Sequence, residues 1–341
     1  MLKIGVIMPK KWLSILFWVV AVGLLLWLVR SVGITAVIDS LAQLTIRQII
    51  LLVLLNAVVI VLVTARWWFI LWGMGWRLPL GMLTGHRLAA FGVSYFTPGP
   101  HFGGEPVQVL LVEKVHGVPR RTAVSAVALD KTLELITNFA FVVLGVLLLL
   151  RWGLFAQTGR SVVLFFVVLL LFPLFYLLGI WWGKRPLSNL LRILKPVWQF
   201  RQAWAVAYER MVYALADSEA QATEFCHHAP RFFVLALLVS VLGWLFLLIE
   251  FVFMLTFLGA QLSLLEGMLV LTAVRIAYLL PLPGGIGSVE AAMIVMLNML
   301  GENPAIALSA SVLIRGRDVS LSVLGLWWGS RFLPNPLRKQ T

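Results

Sequence analysis

The sequence predicts an all-α integral membrane protein with six full transmembrane helices and two re-entrant broken-helix hairpins in an inverted-topology repeat. Composition is the first observation behind this. Of 341 residues, 61% are hydrophobic and 12% charged, with a mean hydropathy of +0.99, so most of the chain is built for a lipid solvent. The second is that apolar windows long enough to cross about 30 Å of hydrocarbon recur along the whole length. The third is that two apolar stretches are broken at their centres by proline and glycine. One polytopic unit, residues 1–341, results, with no room for a sizeable soluble catalytic domain.

The elements follow in order. Residues 12–29 come after the basic flank Lys3, Lys10 and Lys11. That flank resembles a signal peptide, but the apolar run is long and further spans follow, so a retained helix is expected. Residues 49–72 form the second span. Residues 80–116 are apolar but interrupted by TPGPHFGGEP (97–106), and the piece on either side is too short to cross. Residues 123–150 and 161–182 are the third and fourth spans. A basic, amphipathic segment at 183–230 reads as a long loop. It holds the lone cysteine, Cys226, which leaves no partner for an internal disulfide. Residues 231–257 are the fifth span. Residues 263–300 are interrupted by PLPGGIGSVE (281–290), and 303–329 complete the set.

Basic residues thread these pieces through the bilayer, because cytoplasmic loops keep an excess of Lys and Arg. If each broken stretch enters and leaves on one side, a single face collects Lys3, Lys10, Lys11, Arg77, Arg87, Lys114, Arg120 and Arg121. The same face takes the basic segment from Lys184 to Arg231 and the tail with Arg331, Arg338 and Lys339. The opposite face keeps Arg30, Arg47, Arg151 and Arg160. Both breaks are therefore expected to be re-entrant, the first from the cytoplasm and the second from outside, with both termini cytoplasmic. The net charge of +13 then suits anionic headgroups, and nucleic acid is a poor partner for charges scattered over membrane loops. An impermeant maleimide applied to intact cells is expected to leave Cys226 unlabelled.

The halves resemble each other. At an offset of about 184 residues, GVPRRTAVSAVALDKTLE (117–134) lies over GENPAIALSASVLIRGRD (301–318), a self-similarity that marks an internal repeat. Lys131 falls on Arg315 and Glu134 on Asp318. With a small gap, Tyr95 meets Tyr278, Pro98 meets Pro281, Pro100 meets Pro283, and Glu105 meets Glu290. Repeat one covers about 12–150 and repeat two about 161–329. Each holds three full spans and a hairpin, and an odd number of crossings inverts the second repeat. Transporters with this arrangement place the substrate at the midplane between the repeats.

Irregular backbone at membrane depth is tolerated only where protein or a water-filled cavity satisfies it, so each hairpin tip is expected to line a cavity. After Gly103 and Gly104 a half-helix would begin with Glu105 in its first turn. After Gly287 another would begin with Ser288 as its N-cap and Glu290 behind it. Such N-termini attract anions, including phosphate. The residues leave two roles open for Glu105 and Glu290, substrate binding or capping of their own helices.

Further charges fall within membrane depth: Arg66, Asp130, Lys131, Glu134, Glu250, Arg275, Arg315, Arg317 and Asp318. Leaving every such charge in lipid would cost on the order of 30 kcal/mol, beyond typical folding stability, so they are expected to face inward. Lys131/Glu134 and Arg315/Asp318 are each three apart on a helix, and either structural ion pairing or substrate contact suits that spacing. Arg66 and Glu250, near span ends, are expected to snorkel. The histidines have no metal-ligand spacing and read as interfacial or solvated. The 15 tryptophans cluster near span ends as anchors. No P-loop, nucleophile elbow or dinucleotide fingerprint occurs, so no cofactor and no ATP-driven step is expected.

Residues 103–131, GGEPVQVLLVEKVHGVPRRTAVSAVALDK, and 280–318, LPLPGGIGSVEAAMIVMLNMLGENPAIALSASVLIRGRD, resemble the two signature regions of the lysylphosphatidylglycerol synthase transmembrane family. That family includes the flippase-like domain of the bacterial multiple peptide resistance factor and stand-alone homologues. The resemblance implies a multi-pass protein of a bacterial or archaeal cytoplasmic membrane that moves a lipid between leaflets. It implies binding residues at Gly103, Gly104 and Glu105, at Pro283, Gly284, Gly285 and Glu290, at Lys131, and at Arg315, Arg317 and Asp318. Gln108 departs from the pattern, since many members carry Arg there, which bears on the headgroup bound. The aminoacyl-transfer domain of two-part members is absent from these residues, so synthesis of aminoacylated lipid by this chain is not expected.

A lipid flippase or transporter, not an enzyme, is the resulting expectation, with a phospholipid or polyprenyl phosphate as its lipid partner. Its substrate-binding set is Gly103, Gly104, Glu105, Lys131, Glu134, Gly284, Gly285, Gly287, Ser288, Glu290, Arg315 and Asp318. A membrane-embedded lipid-modifying transferase and an accessory subunit of a lipid-synthesis enzyme are the alternatives.

Overall fold

The structure, a computed structural model, describes residues 34–96, 103–152, 159–193, 202–280, 282 and 285–332. The expected span at 12–29 and the residues Pro98, Pro100, His101, Pro281, Pro283 and Gly284 lie outside the described residues. Every element among the described residues is helical: α1 (Ile34–Ala42), α2 (Ile46–Gly73), α3 (Leu80–Phe96), α4 (Glu105–His116), α5 (Arg120–Arg151) and α6 (Gly159–Trp181). These are followed by α7 (Pro186–Ile193), α8 (Gln202–His228), α9 (Pro230–Phe257), α10 (Leu264–Ala277), α11 (Ser288–Met299) and α12 (Ala305–Ser330).

Four of these helices are long and apolar enough to cross a membrane: α2, α5, residues Val163–Trp181 of α6, and α9. Helix α12 forms as expected and has 26 residues, about 39 Å at 1.5 Å per residue. Its composition sets it apart, because Arg315, Arg317 and Asp318 interrupt the apolar run. Element lengths recur between the halves. Helices α2 and α9 both have 28 residues and α4 and α11 both have 12. Leu80 and Leu264, which open α3 and α10, stand about 184 residues apart, the offset of the sequence similarity.

The chain divides into two compact units. One comprises Met1–Leu55, Ala90–Gly104 and Leu248–Leu326; the other comprises Asn56–Ala89, Glu105–Leu247 and Trp327–Thr341. In the second unit α5 packs along α6, and α8 packs against both. Its apolar core is built from buried residues such as Trp67, Leu71, Leu129, Leu133, Ile180 and Phe225. In the first unit α10 packs on α11.

Both broken stretches return on themselves. In the first, His86 of α3 and His116 of α4 share a hydrogen bond of 3.1 Å between their Nε2 atoms, while the Gly104 N–H donates to Ser94 Oγ at 2.8 Å. Contacts near the tip and near the base hold the arms antiparallel. His86 is fully buried and meets the Phe332 ring edge-on, which corrects its expected place at an interface. In the second, the Gln261 N–H donates to Glu302 at 2.8 Å at the base, and Ser288 Oγ donates to the Ala277 carbonyl at 3.2 Å near the tip. At about 1.5 Å per residue the arms of 12 to 17 residues fall short of the hydrocarbon thickness.

The segment 183–230, expected as a loop, contains the short helix α7 and the 27-residue helix α8. Buried polar contacts order it. Glu219 accepts from the Leu187 and Ser188 N–H groups at 2.9 and 3.2 Å and from Ser188 Oγ at 2.6 Å, serving orphan donors at the start of α7. Ser125 Oγ donates to the Ser218 carbonyl at 2.7 Å, and Thr223 Oγ1 to the Ile180 carbonyl at 3.0 Å.

Cys226 is fully buried in this packing, and burial pushes its thiol up to about 11. A maleimide should therefore fail to label it from either side of the membrane, so its silence does not report orientation. The expected result is no labelling of folded protein in detergent and full labelling after denaturation. Rapid labelling of the folded protein would contradict the docking of α8.

Candidate functional site

Most of the charges expected at membrane depth form ion pairs in two clusters, one in each unit, though the Glu134 side chain is 38% exposed. In the second unit Arg66 reaches from α2 to α5, its Nε donating to Asp130 at 2.6 Å and its Nη2 to Glu134 at 3.1 Å. Its side chain is 3% exposed. Arg66 does not snorkel, because two carboxylates on the neighbouring helix offer a better partner than headgroup water. Arg87 of α3 donates to the second oxygen of Asp130 at 2.9 Å. Lys131 donates to Glu134 at 2.9 Å, the expected i,i+3 pair, and lies 3.4 Å from Glu105 at the start of α4. Glu105, Lys131 and Glu134 are thus brought together, with Arg66, Arg87 and Asp130 behind them.

Sequence reasoning placed Arg87 among the basic residues of one face and missed its role here. Asp130 at i−4 from Glu134 was the available signal: two carboxylates on one face of an apolar helix require more than one cation.

In the first unit Glu290 is 1% exposed and serves several donors. Its Oε2 accepts the Gly287 N–H at 2.7 Å, and its Oε1 accepts from Arg315 at 3.0 Å and from Ser311 Oγ. Helix capping and ion pairing are combined in one carboxylate. The N-cap of α11 is Gly287, with φ of 84°, and not Ser288 as expected. Ser288 occupies the first helical position, and its hydroxyl donates to the Ala277 and Gly285 carbonyls. Gly285 has φ of 64°, and a Cβ there would lie 2.8 Å from Val289, so glycine alone fits this turn.

Asp318 does not pair with Arg315. It accepts from Arg317 Nε at 2.9 Å, and Arg317 also donates to Glu250 at 2.9 Å. Glu250 is buried and, like Arg66, does not snorkel. Glu250 follows Arg66 at the offset of the sequence similarity, and a bridge from a long helix to a neighbouring helix occurs in each unit with the signs exchanged. The hairpin bridge occurs in both with the signs kept: Glu105 to Lys131 and Glu290 to Arg315.

Gly103 is exposed, with φ of 132°. Gly104 is buried, and a Cβ on it would lie 2.1 Å from the Ala90 carbonyl oxygen. Glycine at this position lets the chain pass against α3 and present Glu105 to Lys131. Beside that pair opens a cleft of about 800 Å³. Lys114, Arg120 and Lys131 supply its cations, while Val109, Leu110 and Val127 are among its apolar lining. Glu105 and Glu113 also line it. Among the described residues no cluster of three or more His, Cys, Asp or Glu could hold a metal ion.

The chain is similar to two archaeal UPF0104 membrane proteins. The protein of Methanothermobacter thermautotrophicus is 24% identical over 307 residues, 87% of this chain and 88% of the relative. The protein of Pyrococcus horikoshii is 26% identical over 318 residues, 90% of this chain and 92% of the relative. No solved structure matches. The lysylphosphatidylglycerol synthase TM region matches residues 12–325, and the chain therefore belongs to that family of membrane proteins.

Proposed function

We propose that this protein is a lipid flippase or transporter that moves a phospholipid or polyprenyl-phosphate-type lipid between the leaflets of a cytoplasmic membrane. The observation that carries this reading is the cleft beside Glu105 and Lys131. A lipid presents a charged headgroup joined to apolar tails, and this cleft joins the cations Lys114, Arg120 and Lys131 to an apolar wall. Phosphate suits the Lys and Arg side chains, which donate charge-assisted hydrogen bonds to its oxygens. Membership of a family named for a lipid synthase's membrane region supports the same substrate class.

In this mechanism α2, α5, α6, α9 and α12 cross the bilayer and both hairpins are re-entrant. The repeats are inverted, and access to the headgroup alternates as one repeat rocks against the other. The Glu105–Lys131 and Glu290–Arg315 bridges open in turn, each cation accepting lipid phosphate in place of its carboxylate. A carboxylate released in this way can take up a proton, which would couple transport to a proton gradient.

Translocation of labelled anionic, zwitterionic and aminoacylated lipids in proteoliposomes tests the proposal. Movement of one headgroup class is expected for the native protein. Glu290→Gln and Arg315→Ala are each expected to reduce it at least about tenfold, because each breaks a charge-assisted contact of more than about 1.4 kcal/mol. No movement of any lipid by folded protein would overturn the transporter reading and favour a lipid-modifying transferase or an accessory subunit.

A further inference from the structure

Another group of cations lies at the end of α2 and the start of α9. Helix α2 ends in a turn in which the Gly75 N–H donates to the Trp72 carbonyl and the Trp76 N–H to the Leu71 carbonyl. Gly75 supplies the φ of 90° that this reversal requires. Trp68 Nε1 then donates to the Leu78 carbonyl at 2.7 Å, which fixes the chain leaving the turn. Arg77 is thereby placed over the Trp72 ring, its Cζ 5.5 Å from the centroid. Arg231, in the first turn of α9, lies 5.0 Å over Phe232, and Trp72 and Phe232 themselves stand 5.3 Å apart.

Two guanidinium groups therefore rest on one aromatic floor. Close packing at Gly73 allows it, since a Cβ there would lie 2.4 Å from the Phe225 ring and 3.0 Å from Phe232 Cβ. The groups border a pocket of about 470 Å³ to which His228 also contributes, and among the described residues no carboxylate lines it. This departs from the treatment of cations in the hairpin clusters, where Arg66, Lys131, Arg315 and Arg317 each meet a carboxylate. Convergent positive charge held by rings, at the ends of two apolar helices of membrane-crossing length, is complementary to an anion at the headgroup level.

We propose that this pocket binds a phosphate-bearing anion, with Arg77 and Arg231 as its ligands and the Trp72–Phe232 pair as their support. Arginine forks suit phosphate oxygens. The phosphate can belong to an anionic phospholipid whose tails lie along α2 and α9, or to a free soluble anion. Occupancy of this pocket does not depend on transport, so the site stands or falls separately from the proposed function.

Native mass spectrometry of the detergent-purified chain, titrated with phosphatidylglycerol or phosphatidylcholine, tests the lipid source. Calorimetric titration with inorganic phosphate tests the soluble one. Native protein is expected to retain phosphatidylglycerol about tenfold over phosphatidylcholine, near the value of one to two interfacial cations. R77Q/R231Q should lose that preference while remaining helical and monodisperse, and R77K/R231K should keep part of it. Phosphate binding that the glutamine variant abolishes, without any lipid preference, would assign the site to a soluble anion. Equal retention by native and glutamine-substituted protein, or no binding of either anion by native protein, would overturn the proposal.

Discussion

Replacing Arg66 by alanine is expected to destabilise the protein by about 3–5 kcal/mol, the cost of removing one partner from a buried ion pair. Asp130 would lose the 2.6 Å bond that Arg66 makes to Oδ1 and keep Arg87 alone, while Glu134 would keep Lys131. The carboxylate of Asp130 is 3% exposed, so water cannot replace the guanidinium. Thermal unfolding in detergent should show the midpoint falling by on the order of 10 °C. The double variant Arg66→Met/Asp130→Asn should recover much of the loss, because it removes the stranded charge together with its partner. A midpoint unchanged in Arg66→Ala would mean that the network is solvated and contributes little.

Gly104→Ala is expected to be the most damaging substitution of a single glycine in the first hairpin. The added methyl would sit 2.1 Å from the Ala90 carbonyl oxygen and 2.6 Å from both the Ala90 carbonyl carbon and Ser94 Oγ. Two of those atoms belong to backbone inside α3 and cannot swing away as a side-chain end can. Relief requires α4 to move off α3, breaking the 2.8 Å bond from the Gly104 N–H to Ser94 and withdrawing Glu105 from Lys131. A loss of about 3 kcal/mol is expected, at the upper end for overpacking, together with lost lipid translocation. Gly81→Ala is the matched control. It lies in the first turn of α3 with open space around the added Cβ, and should be neutral or gain up to about 1 kcal/mol. Equal behaviour of the two variants would show that the hairpin does not close on Gly104.

Pattern alone located α2, α5, α6 and α9, since long apolar runs in lipid have no competing secondary structure. Proline and glycine located both hairpin breaks for the same reason. Residues 183–230 were misread because polar and apolar residues alternate there without a strong apolar run. Helix α8 is held by packing on α5 and α6 and by buried polar contacts, as with Glu219 at the start of α7. Burial was equally hidden within the apolar helices. Leu238, Val241 and Leu245 of α9 are exposed on the protein surface while Phe251 and Leu255 are buried, and no polarity difference separates the two groups where lipid is the solvent.

The candidate site divides along the same line. Sequence by itself determined that charges in the apolar segments need partners, that Glu105 and Glu290 stand in the first turns of half-helices, and that a cation follows each of them, while it misplaced Arg66 and Glu250 as snorkelling. Those conclusions follow from desolvation cost and helical spacing, which are local. Tertiary structure alone decided the partners. Arg315 turns to Glu290 and leaves Asp318 to Arg317, Arg66 spans to Asp130 and Glu134, and Arg77 and Arg231 lie over the adjacent rings of Trp72 and Phe232. A spacing of three or four residues states only which side chains share a helix face. Which of them finds a partner across the gap depends on how closely two helices approach, as where Gly104 lets the chain pass against Ala90 of α3 and Gly73 lets α2 pack on Phe225 of α8.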